Sequence, residues 1–468
     1  MPFNPTVGVT IRQATTTGSI SSLNHTMVLD VNAYHQAVIT PYYSIEDLNG
    51  DVAVPKDSTA YAALQMGLSN ASVRSLPIYL GRVEAATTVL TPEVADSTVY
   101  SFDLTTIDTT TGSVAVTGSI SFTSDADATA AEIVTGIETA VTSANFDTNE
   151  VTLADGATLT ITPAANRQVV ISNLVELTAT FTTTKSGAEA FSDIQDVDNE
   201  DWYYVCTTSR DNTFRTELCQ AVEATESSDF PKIFATSDAA PETIVAQTDP
   251  SDTDDYLGVM EDAGYGNCFG QWHDQANTIF PEVGVCTYTG GFFAGTKGLK
   301  YSANAKIPDA RHPVLGRTLT KAEIGFILDR NAIVRSKEMG VSIFHVGKAG
   351  TASKGQGAWI DNLTISHWIR LTMKLRIFNG LVNADNGGLP ITFTRGDRLK
   401  IKDIGDGVLN EAVQRKMLSG HTGIFVPENV SFEDQATRTL KDLTFTGYFA
   451  GKVNFVLIDG ILTYTGEV

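Results

Sequence analysis

Three residues with the chemistry of a serine hydrolase follow predicted strands in the middle of the chain. Ser209, Asp238 and His273 each come shortly after a short apolar strand, and ligands of open α/β sheets bind at the carboxyl ends of the strands. The order Ser, Asp, His is that of the α/β-hydrolases. However, the segment around Ser209, TSRDN, lacks the G-x-S-x-G elbow that exposes such a nucleophile. We therefore expect no enzyme activity and keep a hydrolase-like enzyme as the weakest alternative.

Two glycine-rich segments and the histidines also predict no cofactor site. In GGFFAGTK (290–297) the Thr precedes the Lys, so the Lys-then-hydroxyl pair of a phosphate-binding loop is missing. The segment 347–357 lacks G-x-G-x-x-G, and the seven histidines contain no i, i+4 pair. The acidic string 249–255 lacks the spacing of a calcium loop and precedes a helix. We expect no cofactor and no bound metal.

Four cysteines follow no metal-binding spacing and lie in apolar contexts; they are Cys206, Cys219, Cys268 and Cys286. Buried free thiols are the main interpretation, because free Cys packs as a small hydrophobe. Disulfides within or between subunits remain the alternative. Cytoplasmic assembly would keep the thiols reduced, whereas a released particle meets oxidising surroundings.

The bulk composition predicts a multi-domain globular protein. The chain has 468 residues, of which 42% are hydrophobic and 19% charged, which is too long for one ordinary core. No stretch of 18 apolar residues exists, and the start MPFNPTVGVTIRQ lacks the basic and apolar regions of a signal peptide. We expect a soluble protein made in a cytoplasm, with no membrane partner. The net charge of −23 also argues against a nucleic-acid partner.

The segment after residue 200 alternates between strand and helix patterns. Three short apolar strands, at 202–206, 232–237 and 267–272, are separated by two segments with helical apolar spacing. Such alternation predicts a parallel, right-handed βαβαβ unit. Three later helices are expected: one from Thr320, with a capping box to Glu323, one over about 362–382, and one over about 404–418.

The composition shifts abruptly at about residue 86. Segments rich in Thr and Val alternate with turn residues, and one amphipathic helix interrupts them behind a Thr129–Glu132 capping box. Residues 86–200 hold 17 acids and two bases, a net charge of −15. Residues 297–402 hold 18 bases and seven acids, a net charge of +11. We interpret the first segment as an inserted acidic, β-rich domain and the second as a basic surface that faces an acidic partner.

Both ends of the chain have the pattern of strands that need a partner. Val7, Val9 and Ile11 alternate with polar residues in a segment poor in charge. Near the other end Val453, Phe455, Leu457 and Ile461 alternate with further apolar residues, so both faces of the strand are apolar. An uncovered strand of this kind would aggregate. We expect these residues to form inter-subunit arm strands, with closure of the subunit's own sheet as the alternative.

Together these elements predict an α/β (α+β) multi-domain protein. It has a central mixed, parallel-containing sheet with flanking helices, an inserted β-rich domain and extended N- and C-terminal arms. The expected boundaries are 1–30 for the N-terminal arm, 31–85 and 186–450 for the two parts of the core domain, 86–185 for the insertion, and 451–468 for the C-terminal arm.

The order of these pieces resembles the tail sheath proteins of contractile-tailed phages. The matching segments are STAYAALQ…LPIYLGRV (58–83), the inserted VLTPEVADSTVYSFDLTTI…SFTSDADATAAEIVTGI, the stretch from TLTKAEIGFILDRN to RIFNGLV (318–382), and the terminal GKVNFVLIDGILTYTG. The resemblance covers essentially the whole chain. The large acidic insertion is the departure, since its role differs between sheaths.

The resemblance implies a virion protein that is assembled in the host cytoplasm. Six subunits would form each ring, and the rings would stack helically around a tail tube and contract. The implied partners are further copies of the chain, the tail tube protein, and a baseplate and tail terminator at the ends. Another structural phage protein, of a tube or capsid, is the alternative. Arg370, Lys374 and Arg376 lie on the helix at 362–382, where we expect them to face the tube or an adjacent subunit; a solvated edge of a core helix is the other interpretation.

Overall fold

The computed structural model describes residues 23–228, 230–247, 255–345 and 359–452. The strands, numbered in chain order, are β1 Thr26–Asn32, β2 Ile39–Tyr42, β3 Ile78–Glu84, β4 Thr87–Pro92, β5 Val99–Asp108, β6 Val114–Thr123, β7 Val151–Ala154, β8 Leu159–Pro163, β9 Arg167–Val175, β10 Leu177–Thr182, β11 Tyr204–Thr207, β12 Ile233–Asp238, β13 Cys268–Trp272, β14 Val334–Glu338, β15 Val341–His345, β16 Leu418–His421 and β17 Gly447–Phe449. The helices are α1 Ile45–Gly50, α2 Thr59–Asn70, α3 Ala130–Ser143, α4 Gly187–Val197, α5 Asn212–Ala224, α6 Tyr256–Ala263, α7 Ala276–Ile279, α8 Pro281–Gly290, α9 Lys321–Asp329, α10 Ile360–Asn386, α11 Arg395–Gln414 and α12 Phe432–Ala436.

A six-stranded mixed sheet forms the centre of the body, in the order β13-β12-β11-β1-β3-β2. All neighbours are parallel except β2, which runs antiparallel to β3. The predicted βαβαβ unit is confirmed as β11-α5-β12-α6-β13. Residues 26–30, which the sequence analysis placed in the N-terminal arm, instead form most of β1, in the middle of this sheet.

Helices cover both faces of the central sheet, because its strands are apolar on both sides. Val28 belongs to the core beneath α2 and α8, whereas Met27 and Leu29 belong to the core beneath α4, α5 and α6. This alternation follows from the two-residue period of a strand. The two cores hold the sheet as a central layer between helices.

The segment from β4 to β10 has a core of its own. Its strands form one four-stranded sheet, β10-β4-β8-β7, and one three-stranded sheet, β6-β5-β9, both antiparallel. Helix α3 packs between them through Ile133, Ile137 and Val141, and it begins at the predicted Thr129–Glu132 capping box. Contacts to the body include the amide of Ile171, which donates to the carbonyl of Ala33 at 2.8 Å.

The last described part combines two helices and a small hairpin. Helices α10 and α11 pack together, and β16 pairs antiparallel with β17. The predicted start of α11, at residue 404, is wrong. The helix begins nine residues earlier, at Arg395, because the hydroxyl of Thr394 accepts the amide of Asp397 as a cap. The first turns are charged and largely exposed, so they lack the apolar period that marks a buried helix.

Among the described helices, none combines the length and the apolar character needed to cross a membrane.

Candidate assembly surfaces

The two ends of the described body lie at one cavity. Leu23, which is buried, lines this cavity together with Tyr204 and Lys452. The predicted arm residues Val7, Val9 and Ile11 precede this point, and Val453, Phe455, Leu457 and Ile461 follow it; all seven lie outside the described residues. The structure therefore brings together the two places from which the predicted arms continue.

Lys452 is held at this cavity by two contacts. Its ammonium donates to the carbonyl of Gly295 at 2.7 Å and to Oδ2 of Asp361 at 2.7 Å. Gly295 has φ +66, and a side chain there would collide with Ile365 on α10. A glycine is required at this turn, and its carbonyl is thereby placed in reach of Lys452.

The β16–β17 hairpin forms the second candidate surface. In the part of the chain that the structure describes, this sheet has two strands. The amide of Ala450 donates to the carbonyl of Met417, and the carbonyl of Thr446 accepts the amide of Thr422. In an antiparallel pair, the backbone N–H and C=O groups of every second residue point toward the partner strand. Those of Thr446 and Ala450 point toward β16, so those of Gly447 and Phe449 point toward the outer edge of β17. Among the described residues no further strand pairs with that edge, and an uncovered strand edge can pair with an added strand.

An apolar groove runs between α10 and the β16–β17 hairpin. Ile369 and Met373 line it from the helix, and Leu418, Phe445 and Phe449 line it from the hairpin. Phe445 and Phe449 lie four residues apart, an even spacing that places both on the same face of extended backbone. A strand added at this position would bury its apolar side chains in the groove.

Two of the three predicted basic residues lie at the rim of this groove. Arg370 and Lys374, at i and i+4 on α10, both line it. Arg370 also donates to the carbonyl of Glu226, and its guanidinium lies 3.8 Å from that residue's carboxylate. Arg376 instead pairs with Glu411 on α11. The structure thus brings two of the residues together and directs the third to a neighbouring helix.

A buried histidine that the sequence analysis did not single out attaches α10 to the central body. The hydroxyl of Tyr203 lies 2.6 Å from Nδ1 of His367, and Nε2 of the same ring lies 2.8 Å from Oε2 of Glu226. Burial lowers the pKa of His367, so the neutral ring accepts from Tyr203 and donates to Glu226. Burial alone would raise the pKa of Glu226. The hydrogen bonds that His367 and Asn267 donate to its carboxylate outweigh burial and lower this pKa to about 2.

The hydrolase-like residues are not arranged as a catalytic relay. Oγ of Ser209 accepts the amide of Asp211 at 3.3 Å, and Nδ1 of His273 accepts the amide of Gln275 at 3.0 Å. Burial raises the pKa of Asp238 in spite of the opposing effect of Arg215, whose guanidinium lies 3.8 Å from its carboxylate. Ser209 and His273 thus accept bonds within their own loops, and Asp238 is paired with Arg215 on α5.

The glycines of the segment 290–297 have packing roles. A side chain at Gly290 would collide with the carbonyl of Asn24, where α8 meets the chain that enters β1. Gly295 occupies the turn described above. The other glycine-rich segment, 347–357, lies outside the described residues. Among the described residues, no group of three His, Cys, Asp or Glu side chains is placed to hold a metal ion.

Comparison with solved structures identifies the architecture. The helical sheath of the anti-feeding prophage in its contracted state matches with a TM-score of 0.54 and 13% identity, over 99% of this chain and 100% of that one. The chain has the fold of a contractile tail sheath protein. A chain from the baseplate of the same particle shares the sheath fold, with a TM-score of 0.51 and 13% identity over 100% of both chains. A sheath tail protein from Listeria innocua gives a TM-score of 0.49 at 12% identity, over 91% of this chain and 95% of its own.

No protein-family model and no curated protein matches the sequence.

The sequence pattern predicted the fold class, but it did not predict most of the residues that form the two candidate surfaces. Nothing in the sequence marks Lys452 as an anchor, since its partners are separated from it by 157 and 91 positions. His367 stands in an apolar stretch of α10, and only the folded chain brings Glu226 to it. The apolar groove beside β17 exists only after α10 packs against the hairpin.

Proposed function

We propose that this protein is the structural sheath subunit of a contractile tail, which polymerises into stacked hexameric rings and contracts to drive a tube through an envelope. The observation that carries the proposal is the sheath fold over nearly the entire chain. The contracted sheath of the anti-feeding prophage, with a TM-score of 0.54, is itself a helical assembly. We propose no catalytic role.

Strand exchange is the proposed link between subunits. Among the described residues no strand pairs with the outer edge of β17, and the groove beside it offers an apolar floor. The 16 residues from 453 to 468 (468 minus 452) reach about 50 Å when extended, enough to cross to an adjacent body. Strand addition supplies main-chain hydrogen bonds, while side chains in a groove supply specificity.

Strand exchange between subunits suits contraction. Because the arms connect rigid bodies through extended backbone, the bodies can rotate between two packings without separating. A head-to-tail contact that does not close on itself produces a helical filament. The extended filament would persist through a kinetic barrier until it is triggered.

Further partners follow from charge and position. We propose that the rim of Arg370 and Lys374 faces an acidic tail tube or an adjacent subunit, and that baseplate and terminator proteins close the ends of the filament. The insertion at 86–185, with its large excess of acids, is proposed to face outward, away from the tube. We also propose an inserted domain at 86–185, a core domain formed around it and a C-terminal arm at 451–468, with an N-terminal arm that ends before β1 begins at Thr26.

Removal of residues 453–468 tests strand exchange. The full chain is expected to form long tubes of stacked rings in negative-stain electron microscopy, and the truncated chain is expected to remain a folded monomer. A matched control keeps the 16 residues but scrambles their order, which preserves composition and destroys the alternation. Tubes from the truncated chain would refute the arm assignment. Closed shells or narrow tubes from the full chain would indicate a capsid or tube protein, and featureless monomers with esterase activity a hydrolase-like enzyme.

A further inference from the structure

Two cysteine pairs lie on opposite faces of the central sheet. On one face, Cys219 of α5 is disulfide-bonded to Cys268 of β13, with Cα atoms 6.3 Å apart. On the other face, the sulfurs of Cys206 on β11 and Cys286 on α8 lie 3.7 Å apart as free thiols. The sequence analysis favoured four buried free thiols, and the structure assigns that state to one pair only.

The surroundings of Cys206 and Cys286 restrict what the two thiols can do. Both side chains are fully buried in the core beneath α8. Among the described residues no third metal ligand joins them, so they do not form a zinc site. Their sulfurs lie 3.7 Å apart, so they must approach by about 1.7 Å to reach the length of a disulfide bond. The remaining chemistry open to two adjacent thiols is oxidation to a disulfide.

We propose that Cys206 and Cys286 are the site of a second intrachain disulfide, formed after the protein leaves a reducing cytoplasm. Each thiol loses its proton and together they lose two electrons, and a sulfur–sulfur bond forms. Dissolved dioxygen takes up the two protons and two electrons and becomes hydrogen peroxide. The product ties α8 to β11 on one face of the sheet, as the existing bond ties α5 to β13 on the other.

Burial makes this oxidation slow and therefore late. Burial raises the pKa of the Cys206 thiol well above its usual range, and the thiolate is the reactive form. Subunits would thus fold and assemble with the pair reduced, because only brief opening of α8 exposes it. Once formed, the bond lies in the interior and resists reduction. Both helical layers would then be fixed to the sheet, while the two chain ends remain free to exchange.

Peptide mapping of the full-length protein tests the proposal. One sample is kept in mild reductant and a second is exposed to air or diamide. Each is then denatured in excess alkylating agent, digested and analysed by mass spectrometry without reduction. The oxidised sample is expected to contain the linked peptides 206–286 and 219–268. Its thermal midpoint is expected to exceed that of a sample with only the 219–268 bond by about 4 to 8 °C. The variant Cys286→Ser is the matched control, which keeps the 219–268 bond and loses the oxidation-dependent rise.

Two results would overturn the inference. One is full alkylation of Cys206 and Cys286 after prolonged oxidation of the native protein. The other is linkage of either residue to a different cysteine or to a second chain. Because the comparison of oxidised and reduced wild type needs no substitution, the test holds even where Cys286→Ser folds poorly. Tube formation does not enter either readout, so the outcome is separate from that of the proposed function.

Discussion

Replacing Lys452 with methionine removes the cation that fixes the root of the C-terminal segment. Its ammonium makes two bonds of 2.7 Å, one to the carboxylate of Asp361 and one to the carbonyl of Gly295. The side chains of the ion pair are only 28% and 18% exposed, so solvent screens the pair partly. Methionine keeps the length and apolar stem of lysine and removes the charge.

The expected cost follows from these contacts. A partly screened ion pair and one charge-assisted hydrogen bond together contribute about 1 to 2 kcal/mol. In the wild type this energy holds the arm root in place before a neighbour binds the arm, and such preorganisation lowers the cost of association. Its loss should raise the subunit concentration needed for polymerisation by about 5- to 30-fold, at 1.4 kcal/mol for each factor of ten.

Sedimentation of polymerised protein measures this effect. The concentration of subunit left in the supernatant at equilibrium is compared for the wild type, Lys452→Met and Lys441→Met. The control removes another Lys–Asp pair, between Lys441 and Asp434 at 2.8 Å, in which the lysine is 55% exposed. We expect the control to match the wild type. Equal supernatant concentrations for Lys452→Met and the control would refute the claim that this anchor organises the arm.

Three further variants test other parts of the structure. Arg330→Met leaves the buried carboxylate of Asp255 without its cation. It should lower the free energy of unfolding, measured from denaturant curves, by about 3 to 5 kcal/mol. Burial lowers the pKa of His367 below 6.5, so the unfolded chain binds a proton that the folded chain does not. The free energy of unfolding should then decrease as the pH is lowered from about 7.5 to about 5.5. The decrease should be smaller in His367→Gln, whose side chain does not titrate but can still donate to Glu226. An equal decrease in the wild type and the variant would contradict this prediction. Arg370→Glu with Lys374→Glu should leave a folded monomer, by circular dichroism, that no longer coats tail tubes; normally sheathed tubes would exclude the tube-facing role.

Sequence patterns were sufficient where structure depends on neighbours along the chain. The capping boxes at Thr129 and Thr320 fixed the starts of α3 and α9, because a cap involves residues three positions apart. The alternation of strands and helices after residue 200 predicted a parallel unit, since connections of that length permit little else. The two short apolar segments at 202–206 and 267–272 were sufficient to locate strands β11 and β13 of the central sheet.

The sequence failed where a residue's partner lies far along the chain. Residues 26–30 of β1 were assigned to an arm, because nothing local shows that β11, from residue 204 onward, and β3 enclose this strand. The start of α11 was missed because its first turns are polar. The apolar groove lined by Phe445 could not be predicted from the sequence either, because it forms only when α10 packs against the hairpin.

The sequence by itself determined the composition of this protein, the starts of α3 and α9, its parallel unit and the order of segments that resembles a contractile tail sheath. Only the tertiary structure decided that Glu226 meets His367 across 141 positions and that Cys206 meets Cys286 across 80. It also decided that Leu23 and Lys452 share one cavity. The physical reason is that local propensity acts over a few residues, whereas these contacts depend on how whole layers of helices and strands pack.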